Sequence, residues 1–260
     1  MPPIITLTTD LGDRDPFAAS IKGTLLSECE DCQLVDLSHQ IAPHDVKEGA
    51  LFLLGSIPFF PDDSIHLVNV APGPPPIVAR LANQFIVCPD NGLITLLADH
   101  FPIEEIRSIL LPEFLEQRTG QKFHGREVFA PAAVSLAKGT PMATLGDLIE
   151  NPALIDWPHP KLDNPRKLEG LVMHADRFGN LITNFHGETL QELVIERITL
   201  GTFSVYGLSR AYTDVPPQHA LALIGPSGYL EIAYNGDSAV DRLEASPGLV
   251  VSIYPEKPLG

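Results

Sequence analysis

The chain has 260 residues, 44% of them hydrophobic, which is enough for one large domain or two smaller ones around a packed core. Its 33 acidic and 17 basic residues leave a formal net charge of −16, which repels phosphate backbones and anionic lipid surfaces and argues against nucleic acid or membrane as partners. The opening MPPIITLTTD has no basic stretch followed by an apolar one, and no run approaches the ~20 apolar residues of a membrane span, so a cytoplasmic protein is expected.

In chain order, strand and helix patterns alternate: strand Ile4–Thr8, helix Phe17–Glu28, strand Leu34–Leu37, helix Val46–Leu54, strands Ile65–Val70 and Phe85–Cys88, helix Phe129–Ala137. Such alternation predicts a parallel or mixed sheet covered by helices. Cys29 and Cys32 form a C-x-x-C, but no second pair or close His pair accompanies them, so two free thiols are expected rather than a zinc or redox centre. Residues 151–166, NPALIDWPHPKLDNPR, contain four prolines and no periodicity, as an extended linker does. Beyond it, short runs beginning at Leu171, Leu181, Ile195, Ala220, Tyr229 and Leu249 are separated by Gly, Pro, Asn and Asp. The expected organisation is an N-terminal α/β domain (1–150) with a central sheet flanked by helices, a Pro-rich linker (151–167), and a smaller C-terminal all-β barrel domain (168–260).

Ligands of α/β sheets gather at the carboxyl ends of the strands, which directs attention to the loops after Thr8, Leu37 and Val70. TTDLGDRDPF (8–17) puts Asp10 just past the first strand, where a carboxylate can accept hydrogen bonds from vicinal hydroxyls. Asp13 or Asp15 is expected to cap the next helix. An aspartyl-phosphate nucleophile is conceivable at Asp10, but no lysine or phosphate loop accompanies it. In KFHGREVFAPAA (122–133), His124 can titrate near neutrality and Gly125 lets a ligand approach the backbone; a lone His is equally a structural residue. In HADRFGNLITN (174–184), Asp176, Phe178 and Asn180 surround Gly179. An aromatic face with an amide suits an adenine ring, and Asp and Asn bonding their own turn is compatible with that. GPSGYLEIAYNG (225–236) repeats the theme more weakly.

Taken in order, TTDLG, HQIAPHDVKEGA (39–50), PDNGLIT (89–95), FHGREVFAPAA, DRFGNLITN and SGYLEIAYN resemble the S-adenosyl-L-methionine (SAM) hydrolase, or SAM hydroxide adenosyltransferase, family, whose relatives include fluorinating and chlorinating enzymes. The resemblance implies hydrolysis of SAM at the ribose C5′ to adenosine and methionine, without metal or cofactor, in a homotrimer whose sites lie between one subunit's first domain and its neighbour's second. It assigns Asp10 to the ribose diol, and Asp15, with Phe17 and Gly125, to substrate contact. Asp176, Phe178 and Asn180 are assigned to methionine and adenine, and Ser227, Glu231 and Tyr234 to the last binding segment. His124 matches the histidine of a catalytic Asp-Arg-His set, and His44 stands where fluorinating relatives carry an aromatic residue. In LVNVAPGPPP (67–76), however, the position of that Asp is Ala71, and the arginine position falls within Pro74–Pro76. Prolines supply acceptors without N–H donors and cannot polarise water. Arg80 is the nearest guanidinium and is expected further along the next strand. Slow hydrolysis is therefore the expected activity; the alternatives are a SAM- or adenosine-binding module without catalysis, and displacement by another nucleophile such as halide.

Overall fold

The computed structural model describes residues 2–110 and 124–257. The chain divides into two compact units, Met1–Asp156 and Trp157–Gly260. Among the described residues no helix is long and apolar enough to cross a membrane.

The first unit is built on a six-stranded sheet of order β2-β1-β3-β5-β4-β6. Its strands are β1 (Ile4–Thr9), β2 (Gln33–Ser38), β3 (Ile65–Asn69), β4 (Pro76–Leu81), β5 (Gln84–Pro89) and β6 (Ile103–Ser108). β1, β2, β3 and β5 run parallel, and β4 runs against both of its neighbours. Ile5, Leu7, Ile65 and Leu67 pack on α1 (Phe17–Glu28) and α4 (Ala130–Ala137). α2 (Val46–Leu54) and α3 (Ile94–His100) are further helices of this unit. β3 is buried along its whole length, as expected of a parallel strand covered on both faces. Its buried His66 finds partners inside, between Thr6 Oγ1 (2.8 Å) and Gln84 Oε1 (2.6 Å), stitching β1, β3 and β5.

Several elements depart from the sequence reading. β6 and α3 were not expected, and β4 was expected only as the strand that carries Arg80. β4 begins directly on Pro76 at the end of the proline run, and the β4–β5 turn places Ala82 and Asn83 at φ 50° and 58° without the glycine that usually marks such a hairpin. The helix expected from Phe129 is preceded by a π-helical turn, Gly125–Phe129, that runs straight into α4. Neither Asp13 nor Asp15 caps α1: the N-cap is Pro16 with no side-chain bond, and Asp13 instead accepts from Gln40 Nε2. Cys29 and Cys32 are joined in a disulfide, Cα–Cα 5.4 Å, because the chain turns back at the end of α1 and brings the two thiols together. Cys88 is free and buried.

The second unit is an all-antiparallel seven-stranded sheet of order β10-β9-β13-β7-β8-β12-β11. Its strands are β7 (Leu168–Ala175), β8 (Leu181–His186), β9 (Ile195–Leu200), β10 (Phe203–Tyr206), β11 (Ala220–Ile224), β12 (Tyr229–Tyr234) and β13 (Val250–Pro255), with short helices α5 (Gly187–Leu190) and α6 (Ala239–Leu243). The edge strands β10 and β11 touch, so the sheet curls into the expected near-barrel around Phe185, Leu230 and Ile232. The segment read as a linker is tied down locally. The N–H groups of Ala153 and Ile155 donate to Asp90 and Thr95 in the first unit, and the Pro158 carbonyl accepts from Asn184 in the second.

Candidate active site

In the first unit, the loops after β1, β2 and β3 converge on one carboxylate. Asp10 Oδ2 accepts the backbone N–H of His44 and of Ala71, each at 3.0 Å, and the Asp10 side chain is 6% exposed. Both donors hold a left-handed backbone, φ 66° at His44 and 47° at Ala71, a conformation costly for residues with a Cβ and maintained here by the shared acceptor. The His44 ring is largely exposed, with Nδ1 4.0 Å from Asp10 Oδ2. The turn after Asp10 is fixed by Gly12, whose N–H donates to the His39 carbonyl at 2.7 Å. Asp10 thus does two jobs of different kinds: one oxygen knits the loops, and Oδ1 is left to accept a further donor.

The Ala71–Pro76 loop is braced from outside. Asn91 Nδ2 donates to the Val70 and Ala71 carbonyls at 3.0 and 3.4 Å, and the Asp90 N–H donates to the Pro75 carbonyl at 2.8 Å. This is what the PDNG stretch does locally. The loop carries no charged side chain. Arg80 does not supply one: it sits in the β4 register opposite Phe85, at the far end of the sheet from Ala71, where its guanidinium pairs with Glu104 and Asp63 and stacks on Phe85.

His124 and Gly125 reach the same end of the sheet. Gly125 faces Asn69, the last residue of β3, whose carbonyl accepts the Asp10 N–H at 3.4 Å; a Cβ on Gly125 would stand 3.2 Å from Asn69 Oδ1 and 2.7 Å from Ile21 Cδ1. The His124 ring lies edge-on to buried Phe129, centroids 6.3 Å apart. Asp10, Ala71, Gly125 and His124 are therefore linked through the end of β3, whereas Asp15 and Phe17 lie exposed ahead of and at the start of α1.

In the second unit, the other six anticipated residues line one cavity of about 800 Å³: Asp176, Phe178, Asn180, Ser227, Glu231 and Tyr234. The turn after β7 is built by Asp176. It accepts the Phe178 N–H at 2.9 Å, the Asn180 N–H at 2.8 Å and Asn180 Nδ2 at 2.8 Å, while Gly179 takes φ 81° against Ser238. This leaves the Phe178 ring 77% exposed, an aromatic face held out by a rigid turn. Glu231 is 3% exposed, its carboxylate lies against Gly225, and it accepts the Tyr212 hydroxyl at 2.9 Å. Burial raises the Glu231 carboxyl above its usual range, with the neighbouring Asp176 charge adding to the shift and the Tyr212 hydrogen bond opposing it. Burial, with the same carboxylate beside it, also raises the Tyr212 phenol. The buried Ser227 hydroxyl has no hydrogen-bond partner among the described residues. Three carboxylates (Asp176, Glu231 and Asp237), an unpaired hydroxyl and an aromatic face, with no Lys or Arg among the described lining residues, form a cavity suited to a cationic, partly aromatic molecule.

Sequence reasoning passed over Asn69, Asn91 and Tyr212. Asn91 lies inside the PDNGLIT stretch, and Asn69 interrupts the apolar run of β3, a usable signal; nothing around Tyr212 marks it. Among the described residues no group of three or more His, Cys, Asp or Glu could hold a metal ion.

The model of the SAM hydroxide adenosyltransferase N-terminal domain matches residues 5–146, and that of the C-terminal domain matches residues 170–252. The chain is 33% identical over 254 residues to an (R)-S-adenosyl-L-methionine hydrolase of Salinispora arenicola, covering 95% of both chains. It is 26% identical over 289 residues to a fluorinase of Nocardia brasiliensis, covering 96% of each. Among solved structures it is similar to an uncharacterized conserved protein from Thermotoga maritima, with TM-score 0.88 and 29% identity over 96% of this chain and 99% of that one.

Proposed function

The chain belongs to the SAM hydroxide adenosyltransferase family, and from that premise we propose that it hydrolyses SAM at the ribose C5′, releasing adenosine and L-methionine. The observation that carries the proposal is that each unit has its own polar candidate site. One presents Asp10 Oδ1 at the strand ends. The other presents Phe178, Ser227 and the Asp176/Glu231 carboxylates in one cavity. Named hydrolases are more similar to the chain than named fluorinases, which favours water over halide as the nucleophile.

In this reading Asp10 accepts from the ribose hydroxyls, Phe178 stacks on the adenine, and the Asp176 side of the cavity receives the cationic methionine part. Gly125 lets the ligand come close to the backbone, and Asp15 and Phe17 add contacts at the edge. The leaving group is a sulfonium, so attack by water or hydroxide from the opposite side of C5′ disperses positive charge. Holding nucleophile and carbon in line supplies most of what the barrier requires. His124 is the group that orients the water and takes its proton. The Ala71 loop contributes shape and no charge, which makes the turnover slow. No cofactor enters the reaction; SAM is itself the substrate. The reading includes a homotrimer in the cytoplasm. Sedimentation gives the first point, and cell fractionation gives the second together with the oxidation state of Cys29 and Cys32, since a cytoplasmic disulfide is exposed to reductants.

Incubating the purified protein with SAM and separating the products tests the proposal. Adenosine and methionine in equal amounts above the spontaneous rate, lost in His124→Ala, are expected. Stoichiometric binding of intact SAM without cleavage would leave only the binding function.

A further inference from the structure

We propose that Asn69 is a positioning residue for His124, acting on the π-helical turn through a bound water; this rests on the hydrolase reading above. Asn69 is 0% exposed, and among the described residues neither Oδ1 nor Nδ2 has a hydrogen-bond partner. Leaving both ends of a buried amide unpaired costs more than leaving one, so an apolar residue of the same shape would be more stable there. Nearby polar side chains are better served: directly across the register from Asn69, Thr9 bonds His39 at 2.9 Å, and three residues back His66 is bonded at both nitrogens, while Thr8 on β1 leaves a single hydroxyl unpaired against both ends of the Asn69 amide.

A second irregularity lies against the first. Gly125–Phe129 is a π turn, and its closing bond runs from the Ala130 N–H to the Gly125 carbonyl. One extra residue in a turn rotates everything before it by about 100° relative to the α-helix that follows, and it leaves a carbonyl outside the regular ladder. Here that rotation sets the direction of His124. The turn meets the amide at Gly125, the position where a Cβ would stand 3.2 Å from Asn69 Oδ1 and 3.3 Å from Asn69 Cγ. An amide that can donate and accept, beside a turn with a spare acceptor, is a site for a water of three or four hydrogen bonds. Such a water would hold the turn, and with it the ring of His124, in one orientation. The same strand end carries the Asp10 N–H on the Asn69 carbonyl, so the ribose ligand and the histidine are referred to one backbone point.

The test compares wild type with Asn69→Leu, which keeps the shape and removes the polarity, and Asn69→Ser, which keeps a hydroxyl and leaves room for water. For Asn69→Leu, kcat for SAM cleavage should fall about 10- to 100-fold with KM within about twofold, the scale of a misoriented catalytic group. Its Tm should stay level or rise by about 2–4 °C, because an unpaired buried amide has been removed. Asn69→Ser should recover part of kcat, and the acidic limb of its kcat/KM profile should stay closer to wild type than that of Asn69→Leu. Unchanged turnover in Asn69→Leu overturns the proposal. So does a fall in Tm that parallels the loss of kcat in both variants, which would make Asn69 merely structural. If Asn69→Leu does not fold, Asn69→Ser decides alone: reduced kcat at unchanged KM and Tm supports the role, and unchanged kcat ends it. Absence of SAM cleavage by wild type would sink the hydrolase reading itself, visibly and separately, and take this inference with it.

Discussion

At the scale of single residues, Asp10 separates binding from architecture. Its two oxygens have different partners, so two substitutions should give different results. Asp10→Ala removes a carboxylate whose hydrogen bonds to a diol are worth about 1.5–3 kcal/mol, and it also frees the His44 and Ala71 N–H groups, so both adenosine affinity and Tm should drop. Asp10→Asn can keep its carbonyl on the two N–H groups while turning an NH₂ toward the ribose; calorimetry should then show weakened adenosine binding with most of the stability retained. Equal affinity in Asp10→Ala and wild type would leave the residue only its structural duty. Phe178 is the opposite case. Its ring is exposed and packs on little, so Phe178→Ala should leave Tm within about 1 °C, while the loss of a stacking platform costs about 1–3 kcal/mol of adenosine affinity. A variant that melts early but binds normally would remove Phe178 from the site.

At the scale of elements, what could be read from the sequence followed the strength of local pattern. α1, α2, β9 and β11 have the bounds expected of them, and the parallel strands of the first unit, β12 and β13 are displaced by a residue or two at their ends; β7 and β8 each run three residues past an expected end, and β10 was not anticipated. The losses have physical causes. Pro76 reads as loop because proline lacks an N–H, yet it opens β4; the Ala82-Asn83 turn lacks the glycine signal; and a π turn is invisible to a 3.6-residue period. Residues of the candidate site were legible where a titratable group stood beside a glycine at a strand end or a helix start, as at Asp10, His124 and Asp176. Tyr212 was not, because its role depends on Glu231 approaching from another strand. The sheet also makes an element-scale prediction. His66, locked between β1 and β5, is held by burial to a pKa of about 4 against 6.5 in an unfolded chain, with the Gln84 hydrogen bond pulling the other way. The unfolded state then takes the proton first, so this contribution is complete above pH 6.5 and is lost as pH falls toward 4, about 3 kcal/mol in all. Urea titrations at pH 7.5 and 4.5 should show the loss, and His66→Gln should flatten that part of the profile. An unaltered slope in the variant would assign the acid sensitivity elsewhere. The Cys29–Cys32 bridge closes a very short loop, so reducing it should lower stability by only about 2 kcal/mol, measurable as a lower Tm in dithiothreitol that is absent in Cys29→Ser/Cys32→Ser.

At the scale of the whole molecule, the charge of −16 and the acidic cavity of the second unit both favour a cation, but they act over different distances. Surface charges are screened beyond about 8 Å at physiological ionic strength, so their pull on SAM belongs to encounter and fades with salt. Asp176 and Glu231 act at contact, inside a cavity where screening is weaker, and their pull should survive. SAM carries a net positive charge from its sulfonium, whereas adenosine is neutral, so the two ligands form a controlled pair. Raising salt from about 10 to 150 mM should lower kcat/KM for SAM about two- to fivefold and leave adenosine affinity unchanged; from there to about 500 mM the SAM value should level off. Glu231→Gln should lower the plateau and keep the low-salt slope, since only the contact charge has been removed. A SAM rate indifferent to salt would mean that the surface charge serves dispersion alone. A plateau that Glu231→Gln leaves untouched would mean that the cavity's carboxylates are there to build the Tyr212 contact and not to receive the methionine end of the substrate.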